Sequence, residues 1–239
     1  CRLRELKMAK SKTSKSLKRG TVFPKKRDSF LLKKESDLVY LFAASPWKPL
    51  TESGLREDYG TKSKSYISLF LDKYVREGIL KTEQTGSLTT YHLDLSSAKA
   101  RTCAGAVLEF AGWSRSPRKE MEKIIEKNPY ASHITLITGS YAKGTQTEKS
   151  DIDVVIIIED QCDPRRVKAN LNLHCELSIP YIHLYVFRNS EFISMLKDRE
   201  ANYGKEIVKN CLILTQGQTY LKLIDEAMKN GFDYKHLDQ

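Results

Sequence analysis

Long apolar runs are missing from this 239-residue chain: none approaches the ~20 residues that cross a bilayer. The basic amino-terminal stretch has no apolar segment behind it either, so neither a membrane span nor a secretory leader is expected. Cysteine is sparse and odd in number (Cys1, Cys103, Cys162, Cys175, Cys211), with no CxxC pair. That argues against a disulfide frame and a thiolate zinc site, and for free thiols in a reducing, cytoplasmic setting. His133 and His174 have no Cys or Asp at ligand spacing, which argues against zinc again. No repeat of about 20–50 residues is present, which excludes solenoids and propellers.

The positive charge is confined to one end. The chain has 40 Lys and Arg against 30 acids, a net charge of +10. Residues 1–35 hold 13 of those cations and three of the acids, leaving 27 of each in the other 204 residues. A Lys- and Ser-rich segment with few apolar residues cannot bury enough surface to fold alone, so residues 1–35 are expected to be a disordered tail. Two readings fit it: salt-sensitive attachment to nucleic acid phosphates, or a solvated arm. Met8-Ala-Lys-Ser-Lys looks like an ordinary protein start, so residues 1–7 are expected to be either an upstream extension or a cloning remnant.

The centre of the chain carries the chemistry. An apolar run from Ile134 ends in Gly139-Ser140, a polar segment follows, and a second apolar run opens with Asp151-Ile152-Asp153 and continues to Ile158. Residues i and i+2 of a strand share a face, so Asp151 and Asp153 present two carboxylates together. Like charges that close are costly without a cation between them. Oxygen ligands of this kind suit Mg²⁺ or Mn²⁺, which also bind phosphate oxygens. Gly139 and Ser140 would offer backbone N–H groups and a hydroxyl to phosphates, with no side chain at Gly139 to block the approach.

Gly139-Ser140-Tyr141-Ala142-Lys143-Gly144 followed by Ser150-Asp151-Ile152-Asp153-Val154 resembles the signature of the polymerase-beta-like nucleotidyltransferase superfamily, and within it the small prokaryotic branch of minimal nucleotidyltransferases. The resemblance implies an α/β (α+β) palm with a mixed sheet. It also implies transfer of a nucleoside monophosphate from an NTP to a hydroxyl with Mg²⁺ or Mn²⁺ as cofactor. Asp151 and Asp153 would be the catalytic metal ligands, and Gly139, Ser140 and Lys143 would hold the nucleotide. Lys143 and Lys149 flank the expected phosphate pocket, where they neutralise a triphosphate or are simply solvated.

One position departs from the family pattern. Active members place a third carboxylate in the next strand, in a phrase resembling Asp-Leu-Val-Val. Here Tyr181-Ile-His-Leu-Tyr-Val-Phe187 puts His183 at that place. Neutral imidazole ligates Mn²⁺ but brings no negative charge to Mg²⁺. His183 is therefore a metal ligand, or a core histidine bonded to a backbone carbonyl. Glu176 is a weaker substitute for the missing acid.

Upstream, helices are expected from Asp37 to Ala44 after Ser36, from Glu52 to Tyr59 between a Thr51 cap and Gly60, and from Lys62 to Glu77. Strands at 79–82 and 89–93 follow, joined by a turn around Gly86. Three helices and a hairpin, entered through Arg76-Glu-Gly-Ile-Leu80, resemble a winged helix-turn-helix domain. Its recognition helix would bring Lys62, Ser63, Lys64 and Ser65 to DNA. Winged helices also serve as protein–protein modules.

The expected organisation is a tail (1–35), a winged helix (36–96), a connecting helix (97–116, with the helix at Ala98 to Trp113) and a nucleotidyltransferase-like domain (117–239), as in prokaryotic and archaeal fusion proteins. Its expected partners are an NTP, nucleic acid (DNA through the winged helix and the tail) and a second copy in a homodimer, with no membrane. The competing reading is a DNA-binding regulator or antitoxin-like protein that keeps the transferase fold without its catalysis.

Overall fold

The computed structural model describes residues 35–232 and Leu237. The basic segment 1–34, and with it the reading of a tail on nucleic acid, lies outside the described residues.

Helix α1 (Glu35–Ala43) buries Leu38, Val39 and Phe42. It begins earlier than the expected Ser36 cap, because Ser36 lies within the helix and is buried. Glu35 is fixed by Lys73 Nζ at 2.7 Å and by the Tyr74 hydroxyl at 3.1 Å. Helix α2 (Glu52–Tyr59) starts where the Thr51 side chain accepts from Gly54 N, and Gly60 closes it. Helix α3 is Lys64–Arg76 and starts two residues later than expected. The Ser63 hydroxyl accepts from Tyr66 N at 3.3 Å, so it is the cap, and Lys62 stays in the turn before it. Ile67, Phe70 and Leu71 form the buried side of α3.

Strands β1 (Leu80–Thr85) and β2 (Leu88–Leu93) pair antiparallel from Leu80↔Leu93 to Thr85↔Leu88. They are longer than the sequence suggested because the ladder runs up to the turn at Gly86-Ser87. A single antiparallel bridge, Leu50↔Tyr91, joins the segment between α1 and α2 to this hairpin.

Helix α4 (Ala98–Trp113) matches the expected span, but it lies at the centre of the molecule. Its buried residues are mostly small: Ala100, Ala104, Gly105, Ala111 and Gly112, with Val107 and Leu108. It packs against α1 on one side and against β6 (Leu212–Ile213) and α10 (Gly217–Lys229) on the other. Gly105 crosses Gly217 so closely that a Cβ at Gly217 would strike the Gly105 carbonyl. Glu109 Oε1 accepts from Gly217 N at 2.6 Å, and Trp113 Nε1 donates to Leu214 O at 2.9 Å.

The remaining elements are α5 (Arg118–Lys127), β3 (His133–Thr138), α6 (Gly139–Lys143), β4 (Ile152–Ile158), α7 (Pro164–Leu177), β5 (Ile182–Arg188), α8 (Asn189–Lys197) and α9 (Tyr203–Lys209). With β6 they form a four-stranded mixed sheet of order β5-β4-β3-β6. The β4–β5 pair is parallel, joined through α7, and the other two pairs are antiparallel. Strand β4 is buried apart from Asp153, as its Val and Ile run requires. Ile137, Val154, Ile156 and Ile158 pack with Met121, Ile124, Val167 and Leu171 of α5 and α7. Leu136, Val155 and Ile157 join the other core, which also takes residues of α8, α9, α10, α4 and α1. This second core is continuous from Leu38 to Phe232. No helix among the described residues is long and apolar enough to cross a membrane.

Candidate active site

Strand alternation sets the site. Asp151 and Asp153 share a face with Val155 and Ile157, the face that carries α8, α9 and α10. Asp153 stands opposite Thr138 of β3 and opposite His183 of β5. Three neighbouring strands thus deliver Thr138, Asp153 and His183 to one end of the sheet, and Asp151 lies just before β4.

Gly139 is bound to this arrangement sterically. Its φ is +66°, a left-handed conformation that side chains other than glycine rarely adopt. A Cβ there would also collide with Asp153 Oδ2. The carboxylate therefore leans over a backbone that has to be bare. The next residue, Ser140, is half-buried in α6. Ser150 shapes the turn into β4 by accepting from Thr147 N at 2.9 Å. Lys149 and Glu148 are exposed in that turn.

His183 is not a core histidine. Its side chain is 45% exposed, and its ring lies between the acids: Nε2 is 3.6 Å from Asp151 Oδ2 and Nδ1 is 3.6 Å from Asp153 Oδ1. Both separations exceed a hydrogen bond, so the ring stands close to the two carboxylates without bonding to either. The Tyr181 ring meets the imidazole edge-on, with centroids 4.9 Å apart. Glu176, the other candidate for the missing acid, lies on the exposed side of α7.

A cavity of about 230 Å³ opens beside these groups, lined by Gly139, Lys143, Asp153, Tyr185, Tyr203, Glu206 and Lys209 among others. Four of those residues carry no mark in the sequence. The Tyr185 and Tyr203 rings meet at a tilt of 47° with centroids 4.7 Å apart, an aromatic wall next to the carboxylates. The Tyr203 hydroxyl is 3.1 Å from Thr138 Oγ1, and burial pushes its pKa up to about 12, so it is a neutral phenol at physiological pH. Glu206 places a second carboxylate on the cavity wall besides Asp153, from a helix that no motif identifies.

The residues present fit a divalent ion in one respect. Asp151 and Asp153 offer oxygen ligands on one side, which suits Mg²⁺ or Mn²⁺ completed by water and phosphate oxygens. Beyond that pair, no cluster of three or more His, Cys, Asp or Glu among the described residues is arranged to hold an ion. The imidazole fills the interval between the acids instead.

The DNA-contact candidates Lys62, Ser63, Lys64 and Ser65 are all exposed at the start of α3, on a part of the molecule built from α1, α2, α3 and the hairpin. Ser63 is engaged as the helix cap, and its hydroxyl also lies 3.4 Å from that of Ser65.

Comparison with curated proteins gives no match, and comparison with solved structures gives none. The family model of the nucleotidyltransferase domain matches residues 118–210, from the start of α5 to the residue after α9, and so takes in Gly139, both aspartates and His183.

Proposed function

We propose that the chain is a metal-dependent nucleotidyltransferase whose amino-terminal helices and hairpin form a DNA-binding winged helix. The observation that carries the transferase reading is the pairing of Asp151 and Asp153 at the end of β4 over the bare backbone of Gly139, within the matched domain. In this reading Asp151 and Asp153 hold the Mg²⁺ or Mn²⁺, which supplies charge neutralisation at the NTP phosphates. Gly139, Ser140 and Lys143 face those phosphates, and the Tyr185–Tyr203 wall offers an aromatic surface to a base. The acceptor hydroxyl oxygen bonds to the α-phosphorus as the bond to the bridging oxygen breaks. Pyrophosphate leaves with that electron pair, and the hydroxyl proton passes to solvent.

The winged-helix reading is supported by the order α1-α2-α3-β1-β2, the short α2–α3 turn and the Leu50↔Tyr91 bridge beside the hairpin. Lys62 and Lys64 then lie at the amino end of the helix that enters the groove. Homodimer formation and a cytoplasmic location remain part of the proposal.

One observation favours a second reading. With His183 where an acid is expected, and with its ring between the two aspartates, the fold would serve a DNA-binding regulator without transferase activity.

Calorimetric titration of each NTP, with Mg²⁺ and then Mn²⁺, into the wild type and an Asp151→Asn/Asp153→Asn double variant separates the two. Metal-dependent binding that the double variant loses is the expected result. Absence of binding in a folded wild type would leave the regulator.

A further inference from the structure

A second cavity, of about 560 Å³, lies at the far end of β4 from Asp153. It opens where the two parallel strands end: Glu159 and Asp160 follow β4, and Asn189 and Ser190 follow β5. In open α/β sheets the crevice outside the carboxyl ends of the strands is a preferred place for ligands. Asp153 and His183 stand at the amino ends of the same two strands. Ile134 and Ile157, partners in the β3–β4 ladder, form the floor of the cavity. One face of α8, with Ile193 and Lys197, and one face of α10, with Lys222, Leu223 and Glu226, form its walls.

This cavity holds charges of both signs that do not neutralise one another. Lys197, Lys222 and Glu226 make no ion pair among the described residues, although Lys222 and Glu226 lie four residues apart on α10. Asp225 and Lys229, at the same spacing on α10 but outside the lining, do close to 2.6 Å. Asp160 Oδ1 accepts from Ser190 N at 2.9 Å, and that bond keeps the carboxyl below the usual carboxylate range. The carboxylate therefore occupies the amino end of α8, where a simple anion would otherwise be drawn. A ligand matched to these walls carries an ammonium for the acids, a carboxylate for the lysines, and an apolar body for the isoleucines and Leu223. The volume falls within the range of about 300–1,000 Å³ common to small-molecule sites. Gln216, which also lines the cavity, has a φ of +56° and is the only residue other than glycine with a positive φ among the described residues. Such a conformation persists where its surroundings over-determine it, as they do at ligand clamps.

We propose that this cavity binds a free zwitterion with an apolar body, an apolar amino acid or dipeptide, whose ammonium is taken by Asp160 and Glu226 and whose carboxylate is taken by Lys197 and Lys222. The site is separate from the one around Asp153 and does not rest on the transferase reading. Its occupant bridges α8 to α10, the helix that Gly217 seats against α4, and so braces the packing at the centre of the molecule.

The test titrates the full chain calorimetrically with leucine, phenylalanine and leucyl-leucine. Two further probes, 3-methylbutylamine and 4-methylpentanoate, keep the apolar body of leucine with one charge each. At least one zwitterion should bind and should raise the melting temperature, and the single-charge probes should bind at least about tenfold more weakly. Tighter binding of leucyl-leucine than of leucine assigns a dipeptide, and the reverse assigns an amino acid. Lys222→Gln and Glu226→Gln, both at exposed positions, should each weaken binding about tenfold or more, the loss of one charge-assisted bond. The Asp151→Asn/Asp153→Asn variant should bind the zwitterion like the wild type. Should either α10 variant fail to fold, Lys197→Gln on α8 carries the test. A folded wild type that binds none of the three zwitterions would overturn the site. Equal binding of a single-charge probe, or unchanged binding in the folded cavity variants, would overturn it as well.

Discussion

His183 and His133 show how the same side chain does different work in different places. His183 sits on an exposed strand end between two acids, so its replacement by aspartate should restore a third oxygen ligand at the register position opposite Asp153. His183→Asp is expected to raise Mg²⁺-dependent NTP affinity relative to Mn²⁺, read by titration with each metal in turn. An unchanged ratio would remove His183 from the metal question. His133 is buried on β3. Its Nδ1 lies 2.6 Å from the Tyr130 carbonyl, which can only accept, so Nδ1 carries the proton and Nε2 is left buried with no partner. Burial holds this imidazole below its ordinary value of 6.5, and the Tyr130 bond opposes the shift only in part. The unfolded chain therefore takes up a proton below about pH 6.5 that the folded chain refuses, and stability falls as pH falls through that point. Melting temperatures at pH 7.5 and 5.5 should lie closer together in His133→Gln than in wild type. Burial also lowers His92 and His174, so the difference should narrow without vanishing. Asp151, Asp153 and Gly139 were legible in the sequence because one local pattern, strand–turn–strand, holds them within a short stretch. The exposure of His183 was not legible, since it depends on β5 being an edge strand.

At the level of elements, local chemistry explains most boundaries and long-range packing explains the exceptions. The Thr51 cap and Gly60 delimit α2 as the sequence indicates, and Ser97 opens α4 by accepting from Ala100 N. Helix α3 starts at Lys64 because the Ser63 hydroxyl reaches Tyr66 N, a competition among several Ser and Thr residues that the sequence alone does not decide. Helix α9 was the larger gap. Tyr203, Glu206 and Lys209 reach the cavity beside Asp153 from about 50 residues further along the chain, and nothing in their spacing sets them apart from any short amphipathic helix. The small residues of α4 have a purpose that only the structure shows: they let α10 approach. Gly105→Val should cost about 2–3 kcal/mol by overpacking that crossing, measured as a shift in the denaturation midpoint at constant slope. A loss within experimental scatter would mean that α10 moves away without penalty.

For the whole molecule, the continuous core matters more than either half. Leu38 and Phe42 of α1, Ala104 and Leu108 of α4, and Leu221 and Ile224 of α10 belong to one buried cluster, which also takes Leu136 and Val155 from the sheet. Such a cluster should melt as a unit, so scanning calorimetry is expected to give one transition whose calorimetric and van't Hoff enthalpies agree. Two resolved peaks would show that the amino-terminal helices unfold independently. The charge distribution supported a separate tail from the sequence alone, but the sequence could not show that α4 is shared, because a run of Ala and Gly reads equally well as a spacer. That sharing bears on how such a chain changes over generations. Recombination that replaced everything before residue 97 would give α4 a partner whose surface had never been fitted to it, and a break after residue 113 would separate α4 from α10. The helices at the front and the mixed sheet behind them are thus inherited most readily as a single piece.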